Sequence, residues 1–116
     1  MRIVLALDTM EDIRLIAGRI TEAARERGEA MEIVPAPEGM VPADEWERAD
    51  LVLLGPQTKA MLPNLRDLAA FNHVSVAVIP SDDVAMADGQ RILEQILALV
   101  ANQDYHGEAG LDFHPR

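Results

Sequence analysis

The chain contains no cysteine. That single absence excludes disulfides, thiolate metal sites and a cysteine nucleophile. Basic residues are scarce: 10 Lys and Arg stand against 20 Asp and Glu, for a net charge of −10. Such a surface repels nucleic acid and anionic membranes alike. A basic protein partner stays open, although a solvated acidic surface is the simpler reading. Long apolar runs are missing too. The first, Ile3–Leu7, is cut at Asp8, too short for a signal-peptide core or a membrane span. The expectation is therefore a soluble, cytoplasmic protein with no direct membrane insertion. No internal repeat, low-complexity segment, glycine-rich phosphate cradle or nucleophile–base spacing is present, and no cofactor motif appears.

What is present is an apolar fraction of 49% in 116 residues, enough for one domain that buries roughly two-thirds of its unfolded surface. The organising stretch is Arg2–Ile20. Ile3–Leu7 reads as a strand buried on both faces. Thr9 stands three residues before Asp12, a capping-box-like start, and Ile13, Ile16, Ile20, Ala23 and Ala24 follow at helical spacing. A helix from about Asp12 to Arg27 should stop at Gly28.

Further strands are expected at Met31–Val34, Leu51–Leu54 and Val74–Ile79, with loops at Ala36–Pro42 and Ser81–Asp88. A short helix over Ala43–Ala49 would carry Trp46 as a core or edge anchor. Met61, Leu65, Leu68 and Ala69 share one helical face, with Pro63 tolerated only in the first turn. Ile92, Leu93, Ile96, Leu97 and Val100 share another. Alternating strands and helices predict a single four-stranded parallel open sheet with helices on both faces. This α/β domain spans residues 1–101, followed by a C-terminal tail at 102–116.

The segments ADLVLLGPQTKAML (Ala49–Leu62), VSVAVIP (Val74–Pro80) and MADGQRILEQILALV (Met86–Val100) resemble the lactose/cellobiose-type enzyme IIB of the bacterial sugar phosphotransferase system. The Gly55-Pro56-Gln57 turn together with Leu93-Glu94-Gln95 carries most of the specificity. The resemblance covers about residues 2–100 and implies the three-layer α/β/α fold shared with low-molecular-weight tyrosine phosphatases. It also implies a phosphoryl carrier. In that family a cysteine ending the first strand takes phosphate from enzyme IIA and passes it to the sugar bound by a membrane component. Enzyme IIA and that membrane component are thus the implied partners. A thiolate held among backbone N–H groups is what such chemistry requires.

Aligned without a gap, this chain places Leu7 at the cysteine position. The next loop is Asp8-Thr9-Met10-Glu11-Asp12, with three carboxylates and no glycine. Two unit charges about 5 Å apart at an effective dielectric near 20 interact by roughly 3 kcal/mol, so a phosphate dianion is disfavoured there. Val84 and Ala60 also replace aromatic residues of the family. The scaffold is retained while the acceptor is not, which points to a non-catalytic docking or regulatory homologue. The candidate binding loops are Asp8, Thr9, Met10, Glu11, Asp12, Gly55, Pro56, Gln57, Asp82 and Asp83.

Other readings stay open. Asp8 could accept phosphate itself, as aspartates at strand ends do, with Lys59, the only lysine, offsetting charge. The plainer role for Asp8 and Asp12 is to favour the helix N-terminus. A receiver domain would need an acceptor aspartate where this chain has Leu54 and Gly55. Asp8, Glu11, Asp12, Asp82, Asp83 and Asp88 could form a hard-cation site for Mg²⁺ or Ca²⁺, or only a solvated acidic rim. His73 falls at the opposite end of the sheet, and His106 and His114 in the tail; none is assigned a role.

Overall fold

Leu7 continues the side-chain alternation of the first strand, and that parity sets which core each apolar residue of the strand enters. The computed structural model describes residues 1–101; the expected tail, with His106 and His114, lies outside them. Strand β1 is Arg2–Ala6, β2 Glu32–Pro35, β3 Leu51–Leu54 and β4 Ser75–Val78. All pair in parallel, in the order β2-β1-β3-β4. Successive strand residues point to opposite faces. Ile3, Leu5 and Leu7 accordingly enter one core, with Leu51, Leu53, Ala77 and Ile79. Val4 and Ala6 enter the other, with Val52, Leu54, Val76 and Val78. Both faces are covered, which is why the strand sequences are continuously apolar.

Helices α1 (Met10–Glu26) and α4 (Gly89–Ala101) cover the first face. Helix α2 (Leu62–Phe71) covers the second, through Leu62, Leu65 and Ala69, together with Trp46. The expected three layers are present, and Trp46 is a buried anchor. Thr9 caps α1, its Oγ1 accepting from the Asp12 N–H at 3.2 Å. At the other end Gly28 takes φ 71°, a left-handed conformation that favours glycine, and the helix stops there as expected.

Strand and helix ends differ from expectation by one or two residues. Two differences are larger. The short helix around Trp46 is a 3-10 turn at Ala43–Glu47, and further 3-10 turns occur at Pro37–Gly39 and Lys59–Met61. The expected loop Ser81–Asp88 contains helix α3, Ser81–Met86. Asp82 and Asp83 occupy its first turn, where the helix dipole favours acids. Asp83 is then held by Arg91 of α4, Nε to Oδ1 at 2.8 Å. A proline followed by Ser-Asp-Asp reads as a turn in sequence; a tertiary ion pair supports the helix instead.

Candidate functional site

The strand order makes the chain leave β1 for β2 on one side, while β3 lies on the other. Open α/β sheets bind ligands in the crevice at such a switch point, beyond the C-terminal ends of the strands. Here that crevice is bounded by Leu7–Thr9 after β1 and Gly55–Thr58 after β3.

Leu7 fills it. The side chain is 2% exposed, and its Cδ2 lies 2.7 Å from where a β-carbon on Gly55 would stand. A larger residue at position 55 would meet the Leu7 isobutyl group, which would have to shift to admit it.

Backbone and side-chain hydrogen bonds tie the surrounding loops together. Thr58, itself buried, donates its hydroxyl to the Ala6 carbonyl at 2.7 Å and accepts the Gly55 N–H at 2.8 Å. The Gly39 N–H donates to the Leu7 carbonyl at 3.3 Å, and the Glu38 N–H to the Asp8 carbonyl at 2.9 Å. Glu38 holds φ 60° to do so, a left-handed conformation costing a non-glycine residue about 1 kcal/mol. Thr58, Glu38 and Gly39 were not among the residues expected at the site. A Thr three residues after the glycine of a Gly-Pro-Gln turn carried a detectable signal, that of a hydroxyl able to bond the turn's backbone. Nothing local marked Glu38.

The acidic candidates do not converge. Asp8, Thr9 and Glu11 are exposed, with Met10 and Asp12 half-buried beside them. Thr9, rather than Asp8, supplies the side-chain cap. Asp82 is exposed beyond β4, whereas Asp83 is 5% exposed and paired with Arg91. Asp88 accepts the Arg91 N–H at the start of α4, at 3.2 Å. Among the described residues no three Asp, Glu or His side chains gather closely enough to hold a metal ion. The hard-cation reading therefore loses its ligand set. The reason is topological: β3 lies between β1 and β4, so their loops start about 10 Å apart.

Gly55 is buried, Pro56 half-buried and Gln57 exposed. Pro56 and Lys59 line a cleft of about 330 Å³ with Val78, Ile79, Pro80, Ser81 and Asp82. Lys59 thus belongs to the gap beyond β3 and β4, next to Asp82, rather than to the loop carrying Asp8. Ala60 is exposed, and Val84 packs against the core beneath α3. At the opposite end of the sheet, the Arg2 guanidinium grips Glu45 with two hydrogen bonds of 2.7 and 2.8 Å and meets Glu32 at 2.7 Å. The bond from Arg2, helped by the charges of Arg2 and Arg48 and opposed by burial, holds the Glu45 carboxyl below its ordinary range. This network anchors the turn bearing Trp46.

No helix among the described residues is long and apolar enough to cross a membrane. The family model of the lactose/cellobiose-specific IIB subunit of the phosphotransferase system matches residues 14–95. That stretch begins beyond the loop that holds Leu7 and Asp8. The oligo-beta-mannoside-specific EIIB component of Bacillus subtilis (strain 168) is 32% identical over 102 residues, covering 88% of this chain and 98% of that protein. In three dimensions the chain is similar to the lactose-specific IIB component domain from Streptococcus pneumoniae. The TM-score is 0.69 at 12% identity, over 84% of this chain and 95% of the other; that likeness concerns the fold. With a family match over most of its length and a curated relative aligned nearly end to end, the chain belongs to the lactose/cellobiose-specific IIB family of the sugar phosphotransferase system.

Proposed function

We propose that this chain is a non-catalytic IIB-type module, which docks phosphotransferase components without carrying phosphate. One observation carries the reading: Leu7, which the ungapped resemblance puts at the family's acceptor cysteine, is buried and packs against Gly55 at the switch point. Leucine offers no nucleophilic atom, and its isobutyl group lies with Ile3 and Leu5 in the core. The exposed Asp8 and Glu11 add negative charge at the same rim, which opposes a phosphate dianion. The loops that would meet a partner are nevertheless held in place by Thr58, Gly39 and Glu38. A surface of this kind supports recognition after the chemistry is gone. The partners that fit are an enzyme IIA or the membrane sugar-transport component, met in the cytoplasm.

Docking is tested by titrating candidate enzyme IIA proteins into the labelled chain and following backbone amide shifts. The expected result is a saturable set of shifts in Asp8–Asp12, Pro37–Gly39 and Gly55–Thr58 for at least one of them. Shifts confined to the opposite end of the sheet, or none with any IIA or the soluble part of a membrane component, contradict the proposal.

A further inference from the structure

Helix α3 is anchored unlike the helices that cover the sheet. Helix α1 buries Ile13, Ile16, Ile20, Ala23 and Ala24, and α4 buries Gly89, Ile92, Leu93, Ile96 and Leu99. The one buried residue of α3 is an acid, Asp83. Val84 is partly buried against the core, while Ala85 and Met86 are exposed. Apolar packing, the main source of helix stability within a protein, is therefore slight here. What holds Asp83 is Arg91, whose Nε lies 2.8 Å from Oδ1 and whose side chain is 62% exposed. The other oxygen, Oδ2, is buried and has no hydrogen-bond partner among the described residues. A buried carboxylate satisfied at only one oxygen gives back part of what closure gains.

The ends of the helix add little. Pro80 at its start supplies no side-chain cap. Ala87 at its end takes φ 50°, a left-handed conformation unfavourable to a residue with a β-carbon. Residues 80–88 carry Asp82, Asp83 and Asp88 and no basic residue, so mutual repulsion also opposes the closed arrangement.

Both flanks, by contrast, are fixed. Ahead of the segment, the Ile79 N–H donates to the Leu54 carbonyl at 2.8 Å. Behind it, Gly89 is buried so tightly on α1 that a β-carbon there would collide with the Arg19 carbonyl. A released α3 swings between two points that stay in place.

We infer that residues 80–88 form a strap that opens without the rest of the domain, latched by the Asp83–Arg91 pair. Ser81 and Asp82 of the strap line, with Pro56 and Lys59, the cleft of about 330 Å³ beyond β3 and β4. Opening takes away that wall, so the latch sets the width of the cleft.

Native-state amide hydrogen exchange on the full chain tests this. The amides of Val84–Met86 should be at least about 100-fold less protected than those of Ile16–Ile20 in α1 and Ile96–Leu99 in α4. Arg91→Gln should lower protection in α3 by about a further tenfold, because it leaves the buried Asp83 without its cation. Protection in α1 and at Ile96–Leu99 should not change. Arg27→Gln, which removes the 3.5 Å ion pair to Glu94 of the same α4, should leave α3 as it is in the parent. Equal protection in α1, α3 and α4 overturns the inference, since α3 would then open only when the whole domain unfolds. So does an Arg91→Gln variant whose α3 exchanges as in the parent, or one in which all three helices lose protection together. The experiment needs no partner, so its outcome is independent of the docking reading.

Discussion

On the proposed reading a single leucine separates this chain from the chemistry of its family, and its surroundings are set by the pleat of β1. Leu7 follows Ile3 and Leu5 onto the face covered by α1 and α4, so it is a core residue. Truncating it to alanine should therefore destabilise the fold by about 3 kcal/mol, the middle of the range for buried leucines. Its contact with Gly55 makes a sharper test. Gly55→Ala drives a methyl group into Leu7 Cδ2 and should cost about 1–3 kcal/mol, as overpacking does. In the Leu7→Ala background that clash disappears. Urea denaturation of the two single variants and the double variant should then show a coupling of about 1 kcal/mol or more. Additivity within about 0.3 kcal/mol would mean that Leu7 does not fill the crevice.

At the scale of elements, one end of the sheet is organised by hydrogen bonds among loops and the other by an ion pair. Arg2 opens β1 and holds Glu45, in the turn that buries Trp46. Because the folded state lowers the Glu45 pKa below its ordinary value of 4.5, the group contributes stability above that pH. The contribution is lost as pH falls through the lower, folded value. Thermal denaturation of the parent and of Glu45→Gln should therefore differ most above about pH 5 and converge on acidification. A difference that widens below about pH 4 would contradict the assignment. The elements were unequally legible in sequence. β1 and β3 announced themselves by unbroken apolar runs bounded by Asp8 and Gly55, and α1 by its periodicity between Thr9 and Gly28. Helix α3 did not, because its six residues complete less than two helical turns and Asp83 depends on Arg91 of another helix. The 3-10 turn at Pro37–Gly39 looked like a plain proline-glycine loop. Its contacts with Leu7 and Asp8 arise only from the adjacency of β2 and β1.

For the whole molecule, the scaffold and its charge carry different messages. Parallel order β2-β1-β3-β4 with two apolar faces agrees with the pattern of strands and helices, and the Gly55-Pro56-Gln57 and Leu93-Glu94-Gln95 segments carried the family. The acidic residues, by contrast, were legible only as a count. Sequence could not show that β3 parts the loops bearing Asp8 and Asp82, or that Asp83 turns inward to Arg91. What remains is a IIB fold whose switch-point crevice is packed with leucine and rimmed by carboxylates. The most direct test is the intact mass of the protein after incubation with a phosphoenolpyruvate-charged phosphotransferase relay that includes candidate enzyme IIA proteins. The account predicts an unchanged mass for the parent chain. A phosphate adduct on the parent that disappears in Asp8→Asn would contradict it and make this chain an aspartyl phosphoryl carrier.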